Sequence, residues 1–289
     1  MVPASGVPTY REVPRPVDLP DIHSMPNAAW NRLLGDRLEA RFARGSSLHS
    51  DVLWRKTMEE VADGLCLGPF SYSEMNSRFG GADSWRAMCR FPVDQVGSDG
   101  KTKVRCCDDA CDARHNEFTS LGETITCESA DFPLRVAVLF ARSFGLDGDW
   151  SLQGGTEDIS AAYRQCPSLT PQFTSIALVD PSTGNVSFFY LPGMNFGLAS
   201  AVNQFNRLPE LVVAFLRRRC GVCTAHYFDD YCVCEPSFAG SSGQALLIKL
   251  HELLGMPLAP KKHVDMSETF VFLGIMTDFT RMAARKVVT

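Results

Sequence analysis

The sequence predicts an α+β fold, an antiparallel sheet with helices on one face. Two observations predict it. From about residue 150 onward the chain reads strand, helix, hairpin, helix, hairpin, helix, strand, an order that suits neighbouring strands paired beneath a helical layer. The composition also permits a real core, with 45% hydrophobic and 21% charged residues over 289 positions.

The elements follow in order. Residues 1–27 are rich in proline with little periodicity and read as a flexible leader. From Ala28 to Phe42, Trp30, Leu33, Leu34, Leu38 and Phe42 recur at helical spacing. A second helix is expected from Ser50 to Gly64, capped by Ser50 or Asp51, and Gly68-Pro69 closes this helical extension of 28–84. Arg90–Val93 and Lys103–Cys107 read as strands joined by a turn at Gly97–Gly100. Residues 130–144 are helical, and Trp150–Glu157 leads into a strand near Asp158. Thr174–Val179 and Val186–Leu191 flank a run dense in turn residues. A long helix covers 199–219, a hairpin spans Val222–Glu235, a helix follows at 243–255, and a last hairpin runs from Phe270 to Phe279.

The sharpest local feature is His226-Tyr227-Phe228-Asp229-Asp230-Tyr231. Two adjacent carboxylates sit at the centre of an apolar, strand-forming hairpin. A solvated turn holds an ordinary Asp-Asp pair. Burying one here costs several kcal/mol unless a cation neutralises it. Hard oxygen ligands suit Mg²⁺ or Mn²⁺. One hairpin cannot surround two ions, so a third carboxylate is needed. Asp158 is the candidate, at a strand end just before a helix. Its neighbour Glu157 is sent to the opposite face by strand alternation.

Net charge is -5, which argues mildly against nucleic-acid binding. Clustered bases at Arg217–Arg219, Lys261-Lys262 and Arg281–Lys286 answer that objection, although Arg217–Arg219 equally suits a helix C-terminus. Cys220 and Cys223 form a C-x2-C pair, half of a zinc site. No second pair follows, so reduced thiols are the favoured reading. No apolar run is long enough to span a bilayer and no secretion signal is visible, so an intracellular protein, cytoplasmic or nuclear, is expected.

These motifs, in this order, resemble the reverse transcriptases of retroelements. Tyr227-Phe228-Asp229-Asp230 looks like the YxDD box. Asp158-Ile159-Ser160-Ala161-Ala162-Tyr163 resembles the first catalytic box. Leu191-Pro192 with Phe196-Gly197-Leu198-Ala199-Ser200-Ala201 is similar to the LPFGLSSAP segment. Leu258-Ala259-Pro260-Lys261-Lys262 and Phe272-Leu273-Gly274-Ile275 look like the two boxes that follow. Gly100–Arg105 with Asp108 and Asn116 resembles the fingers strand. The likeness covers about residues 85–280.

The resemblance implies the palm and fingers of a right-hand polymerase, with fingers at 85–157 and palm at 158–280, and fingers elements inserted around 165–200. It implies an RNA-directed DNA polymerase that extends a primer on an RNA or DNA template with deoxynucleoside triphosphates and two Mg²⁺ or Mn²⁺ ions. Asp158 and Asp229 would hold metal with the Ile159 carbonyl, and Asp230 would be a further ligand. Tyr163 would exclude a 2′-hydroxyl, unless it is an ordinary core aromatic. Lys103 and Arg105, with Lys101, would grip the triphosphate, unless they are an exposed strand edge. Phe196 and Gly197 would pack on base and template. Lys262, rather than Lys261, would protonate the leaving pyrophosphate. Tyr227, Phe228, Leu273 and Gly274 would hold the primer end.

Two departures stand out. Gly193-Met194-Asn195 intervenes between Pro192 and Phe196, and Val202 replaces the usual proline. The nine residues 281–289 leave no room for a thumb or ribonuclease H domain. The alternative is therefore a retroelement remnant that folds and binds nucleic acid weakly without catalysis. An RNA-templated RNA polymerase is disfavoured by Tyr163 and by YxDD in place of GDD.

Overall fold

A computed structural model describes residues 25–45, 49–96, 100–119, 122, 124–145 and 150–280. Most of the expected leader, most of the turn at 97–100 and the basic tail with Arg281, Arg285 and Lys286 lie outside them. The elements in chain order are α1 Asn27–Ala43, α2 Ser50–Ala62, β1 Leu67–Phe70, α3 Tyr72–Phe79, β2 Ala87–Val96, β3 Thr102–Asp108, α4 Phe132–Phe144, β4 Leu152–Asp158, β5 Ser175–Val179, β6 Val186–Tyr190, α5 Ala199–Phe215, β7 Cys223–Tyr227, β8 Asp230–Pro236, α6 Ser242–Leu254, β9 Val264–Ser267, β10 Thr269–Phe272 and β11 Ile275–Asp278. They form two compact units. One comprises the described residues of Thr124–Ala162 and Phe205–Thr289, the other those of Ala4–Glu123 and Tyr163–Gln204.

In the second unit a five-stranded sheet runs in the order β1-β6-β5-β2-β3. The β2–β5 pair is parallel, with Ala87 opposite Ser175. The expectation of a purely antiparallel sheet fails here. β2 and β5 are far apart in sequence, so no hairpin dictates their direction. Trp85 and Phe188 meet edge to face at 5.0 Å in its core, beside fully buried Met75, Met88 and Ile176. Helix α1 is clipped to β2 by polar contacts. The Trp30 indole N–H donates to the Ala87 carbonyl at 2.8 Å. The Asn31 amide donates to the Trp85 carbonyl and accepts from the Ala87 N–H, both at 2.9 Å.

The sequence reading missed β1 and α3, although α3 carries its own start signal. The Ser71 hydroxyl accepts from the Glu74 N–H, and the Glu74 carboxylate accepts from the Ser71 N–H at 2.7 Å. This reciprocal cap satisfies two donors that a helix start leaves open.

In the first unit a four-stranded antiparallel sheet runs β7-β8-β4-β9. Alternation puts Cys232 and Cys234 of β8 on one face, where α4 supplies Phe132, Val136 and Ala137. Phe270, Phe272 and Phe279 complete that core. Gly154 makes room for Phe270, whose ring lies 2.3 Å from where a β-carbon would stand. Truncating Phe270 to alanine would cost about 3–5 kcal/mol. On the other face, Gly243 of α6 abuts Val233, its N–H donating to the Glu235 carboxylate at 2.8 Å. The Gln244 amide donates to Glu157 at 2.8 Å. Helices therefore cover both faces of this sheet, not one as expected. The run Tyr231–Cys234 is apolar at every position, so both faces demand cover.

Candidate active site

The acidic residues meet at one end of the β7-β8-β4 sheet. Strand β4 ends at Asp158 and β8 begins at Asp230, and the two are register partners. The hairpin between β7 and β8 closes from Tyr227 to Asp230, leaving Phe228 and Asp229 at its tip. Phe228 has φ 52°, in the left-handed region. That conformation costs a residue with a β-carbon about 1–2 kcal/mol, and such strain gathers at functional sites. The Ile159 N–H donates to the Asp229 carbonyl at 3.0 Å, which ties the tip to the end of β4. Asp158 and Ile159 are buried. Tyr227 is exposed, and its ring meets Phe228 edge to face at 4.9 Å.

A loop after α6 is strapped to the same point. The Ala259 N–H donates to the Asp158 carbonyl at 2.7 Å, and the Ser160 N–H to the Pro257 carbonyl at 2.9 Å. The short turn Pro260–Lys262 then brings the Lys262 ammonium onto the Asp158 carboxylate. Of the two adjacent lysines, Lys262 makes this contact. Glu157 points the other way, accepting from Gln244 and facing His263 Nδ1 at 2.6 Å.

The electrostatics reflect the crowding. Burial pushes the Asp230 carboxyl up to about 7, and a hydrogen bond with Asp158 and the charges of Asp229 and Asp158 push the same way, while Lys262 opposes them. Among the described residues, no group of three or more His, Cys, Asp or Glu side chains already encloses a metal-sized position. The residue types suit hard divalent cations, since Asp158 and Asp230 are register partners, Asp229 adjoins Asp230 at the hairpin tip, and carboxylate oxygens are the ligands such ions take. Cys220 is exposed and Cys223 half-buried, while buried Cys232 and Cys234 touch at 3.8 Å.

The remaining predicted residues of this unit lie on hairpins. Leu273 and Gly274 form the two-residue turn between Phe272 and Ile275, with φ 50° and 76°. Two left-handed residues in succession match the twist of a tight hairpin.

The residues expected to contact nucleotide lie in the other unit. Tyr163 and Phe196 meet edge to face at 4.7 Å, and the Arg164 guanidinium sits 5.6 Å over Phe196. Lys103 and Arg105 are exposed on one face of β3, with Arg105 bonded to Gln95. Lys101 is exposed just before β3. Gly197 has φ 119°, and a β-carbon there would stand 2.0 Å from the Asp108 carbonyl oxygen. Only glycine satisfies both conditions. The Asn116 amide donates to the Gly197 carbonyl at 2.9 Å, and its oxygen accepts from the Ala199 N–H at 2.8 Å.

The three-residue departure after Pro192 has a physical role that sequence reasoning missed. A β-carbon at Gly193 would lie 2.3 Å from the Arg164 carbonyl. The Met194 N–H donates to the Tyr163 carbonyl at 3.1 Å. The Asn195 amide donates to Asp108 at 2.9 Å. Asp108 also takes two bonds from Arg90, at 2.8 and 3.3 Å, with both side chains fully buried. Arg90 and Arg164 further meet Glu60 at 2.7 and 3.2 Å. This buried ionic cluster anchors the segment that presents Phe196 and Gly197.

No protein-family model matches the chain, and no curated protein matches it. Its fold does match solved structures. One is the protease-reverse transcriptase of a foamy virus, solved in complex with double-stranded DNA, with TM-score 0.50 and 15% sequence identity. The match covers 76% of this chain and 32% of that one, so the chain spans about a third of that protein's length. The likeness shows the fold: a mixed α/β arrangement distantly like that of a reverse transcriptase. Among the described residues no helix is long and apolar enough to cross a membrane.

Proposed function

We propose that this chain is the catalytic core of an RNA-directed DNA polymerase, adding deoxynucleotides to a primer 3′-hydroxyl. The observation that carries this reading is the register pairing of Asp158 with Asp230 beside the Asp229 turn, within a fold like that of a reverse transcriptase. The palm role falls to the unit that carries these aspartates, the fingers role to the unit that carries β2 and β3.

Asp158, Asp229 and Asp230 would hold two Mg²⁺ or Mn²⁺ ions, with the Ile159 carbonyl assisting. Such a pair, when bound, activates the attacking hydroxyl and stabilises the leaving oxygen. The chain's own groups do the rest. Lys262 gives its proton to the departing pyrophosphate, with the Pro260–Lys262 turn holding it at Asp158. Lys101, Lys103 and Arg105 take the triphosphate, where the planar fork of Arg suits paired phosphate oxygens. Tyr163 blocks a 2′-hydroxyl, and Phe196 and Gly197 pack on base and template. Tyr227, Phe228, Leu273 and Gly274 hold the primer end.

Primer extension on poly(rA)/oligo(dT), with and without Mg²⁺, tests the reading. Mg²⁺-dependent incorporation that Asp229→Asn abolishes, in a variant that still folds, supports it. Equal incorporation by the variant removes the metal role. Salt-dependent duplex binding without incorporation selects the non-catalytic remnant instead.

A further inference from the structure

His226 is the penultimate residue of β7 and is 2% exposed. Strand alternation turns it away from its exposed neighbour Tyr227. Its register partner on β8 is Tyr231, whose ring lies 6.2 Å from the imidazole. Both ring nitrogens are engaged. Nδ1 lies 3.2 Å from the Phe228 carbonyl oxygen. A carbonyl can only accept, so Nδ1 carries a proton and donates it. Nε2 lies 3.2 Å from the Glu210 carboxylate of α5, and a proton there makes that contact a charge-assisted bond. What these contacts hold is an unfavourable backbone. Phe228 has φ 52°, and a residue with a β-carbon keeps that conformation only where its surroundings fix it. The Phe228 carbonyl is fixed by His226. The next carbonyl, of Asp229, is fixed by the Ile159 N–H at 3.0 Å. Two consecutive carbonyls of the tip are thus tied down, one by a side chain of β7, the other by the chain that follows β4.

We infer that His226 is a positioning residue of the candidate active site: bridging Glu210 and the Phe228 carbonyl, it locks the hairpin tip that aims the Asp229 carboxylate. The catalytic purpose of the lock rests on the polymerase reading; the lock itself belongs to the free chain. His226 touches neither substrate nor metal in that reading. Leucine in its place would fill the space beside Tyr231 but leave the Phe228 carbonyl without its donor. Asparagine would restore a donor, because its amide nitrogen stands where the histidine Nδ1 stands.

Amide hydrogen exchange of the full chain, without metal or nucleotide, tests the lock apart from the polymerase reading. The reporter is the Ile159 N–H, bonded to the Asp229 carbonyl. The reference for general loosening is the Met256 N–H, bonded to the His251 carbonyl at 3.0 Å in the same unit. His226→Leu is expected to speed exchange at Ile159 by roughly tenfold, the worth of one hydrogen bond, with Met256 unchanged. His226→Asn regains most of the protection. Glu210→Ala, at an exposed side chain, speeds Ile159 exchange in the same direction and carries the test if the leucine variant fails to fold. In primer extension the leucine variant loses kcat at unchanged primer–template affinity, and the asparagine variant recovers it. Unchanged Ile159 exchange in His226→Leu, or in Glu210→Ala where the leucine variant does not fold, overturns the inference. So do equal acceleration at Ile159 and Met256, and an asparagine variant no better protected than leucine. A wild-type chain that incorporates no nucleotide would sink the polymerase reading, while the exchange rates still decide the role of His226.

Discussion

Asp158 and Asp230 stand opposite one another across β4 and β8, at the position where one strand ends and the other begins. Antiparallel partners have Cα atoms only about 4.5–5.5 Å apart, so two like charges are forced together by the backbone itself. In the proposed reading a divalent ion would relieve this. Mn²⁺ is therefore expected to raise the thermal midpoint, by an amount equivalent to about 2.7 kcal/mol at one hundred times its dissociation constant. A chain with Asp158, Asp229 and Asp230 all replaced by Asn should show no such rise. A Mn²⁺ shift that survives in the triple variant would place the ion elsewhere.

Lys262 sits on Asp158 with its ammonium largely exposed. Lys262→Met is expected to slow single-turnover incorporation by about 10²-fold or more, the usual worth of a positioned proton donor. Primer–template affinity should change little. A loss confined to duplex binding would make the lysine a phosphate contact instead.

Tyr163 packs against Phe196 in a defined edge-to-face geometry. In the proposed reading, Tyr163→Val opens room for a 2′-hydroxyl and admits ribonucleotides. The measurement is the ratio of kcat/KM for deoxy- and ribonucleoside triphosphates. An unchanged ratio ends the gate assignment.

Arg90 and Asp108 form a fully buried pair. Burial alone would raise the Asp108 carboxyl, but the Arg90 charge and hydrogen bonds outweigh it, with Arg164 and Asn195 adding to them, so its pKa lies below the ordinary value. Arg90→Leu removes the nearest counter-charge of the buried Asp108, leaving only Arg164 and Asn195 to support it, and is expected to destabilise the chain by about 3–5 kcal/mol in urea unfolding. Replacing both residues with leucine should recover part of the loss. A single-variant loss below about 1 kcal/mol would contradict a buried, coupled pair.

His115 supplies a pH signature. Burial, aided by the Arg86 charge, holds its imidazole down at about 3, while backbone hydrogen bonds oppose the shift. The folded state thus favours the neutral ring, and an unfolded histidine titrates near 6.5. Stability is fully present above pH 6.5 and is lost as pH falls towards 3, by about 2 kcal/mol at pH 5. Urea midpoints between pH 5 and 7.5 measure this slope. His115→Leu should flatten it, and a variant with the wild-type slope would assign the effect to other groups.

The three aspartates were legible in the sequence because their surroundings are not those of surface acids. Asp229 and Asp230 interrupt an apolar hairpin, and Asp158 follows a strand. The cluster of Glu60, Arg90, Asp108, Arg164 and Asn195 was not legible. Each member has the look of an ordinary surface residue, and no local period links positions so far apart. The helix on each face of the β7-β8-β4-β9 sheet was hidden for the opposite reason. Tyr231, Cys232, Val233 and Cys234 are apolar in both directions, so alternation carries no information. Gly193–Asn195 read as a disruption of a familiar segment, whereas its residues are the ones that dock the segment onto Tyr163, Arg164 and Asp108.

The cluster around Asp108 also sets a timetable for biosynthesis. Glu60, Arg90 and Asp108 leave the ribosome well before Arg164 and Asn195, and the stretch from Thr124 to Ala162 that emerges in between belongs to the other unit. Until the later partners arrive, an arginine and an aspartate destined for the interior must wait in contact with water. Such long-range closure is slow and leaves the nascent chain exposed to aggregation. Production of this protein should therefore respond to translation speed and chaperone supply.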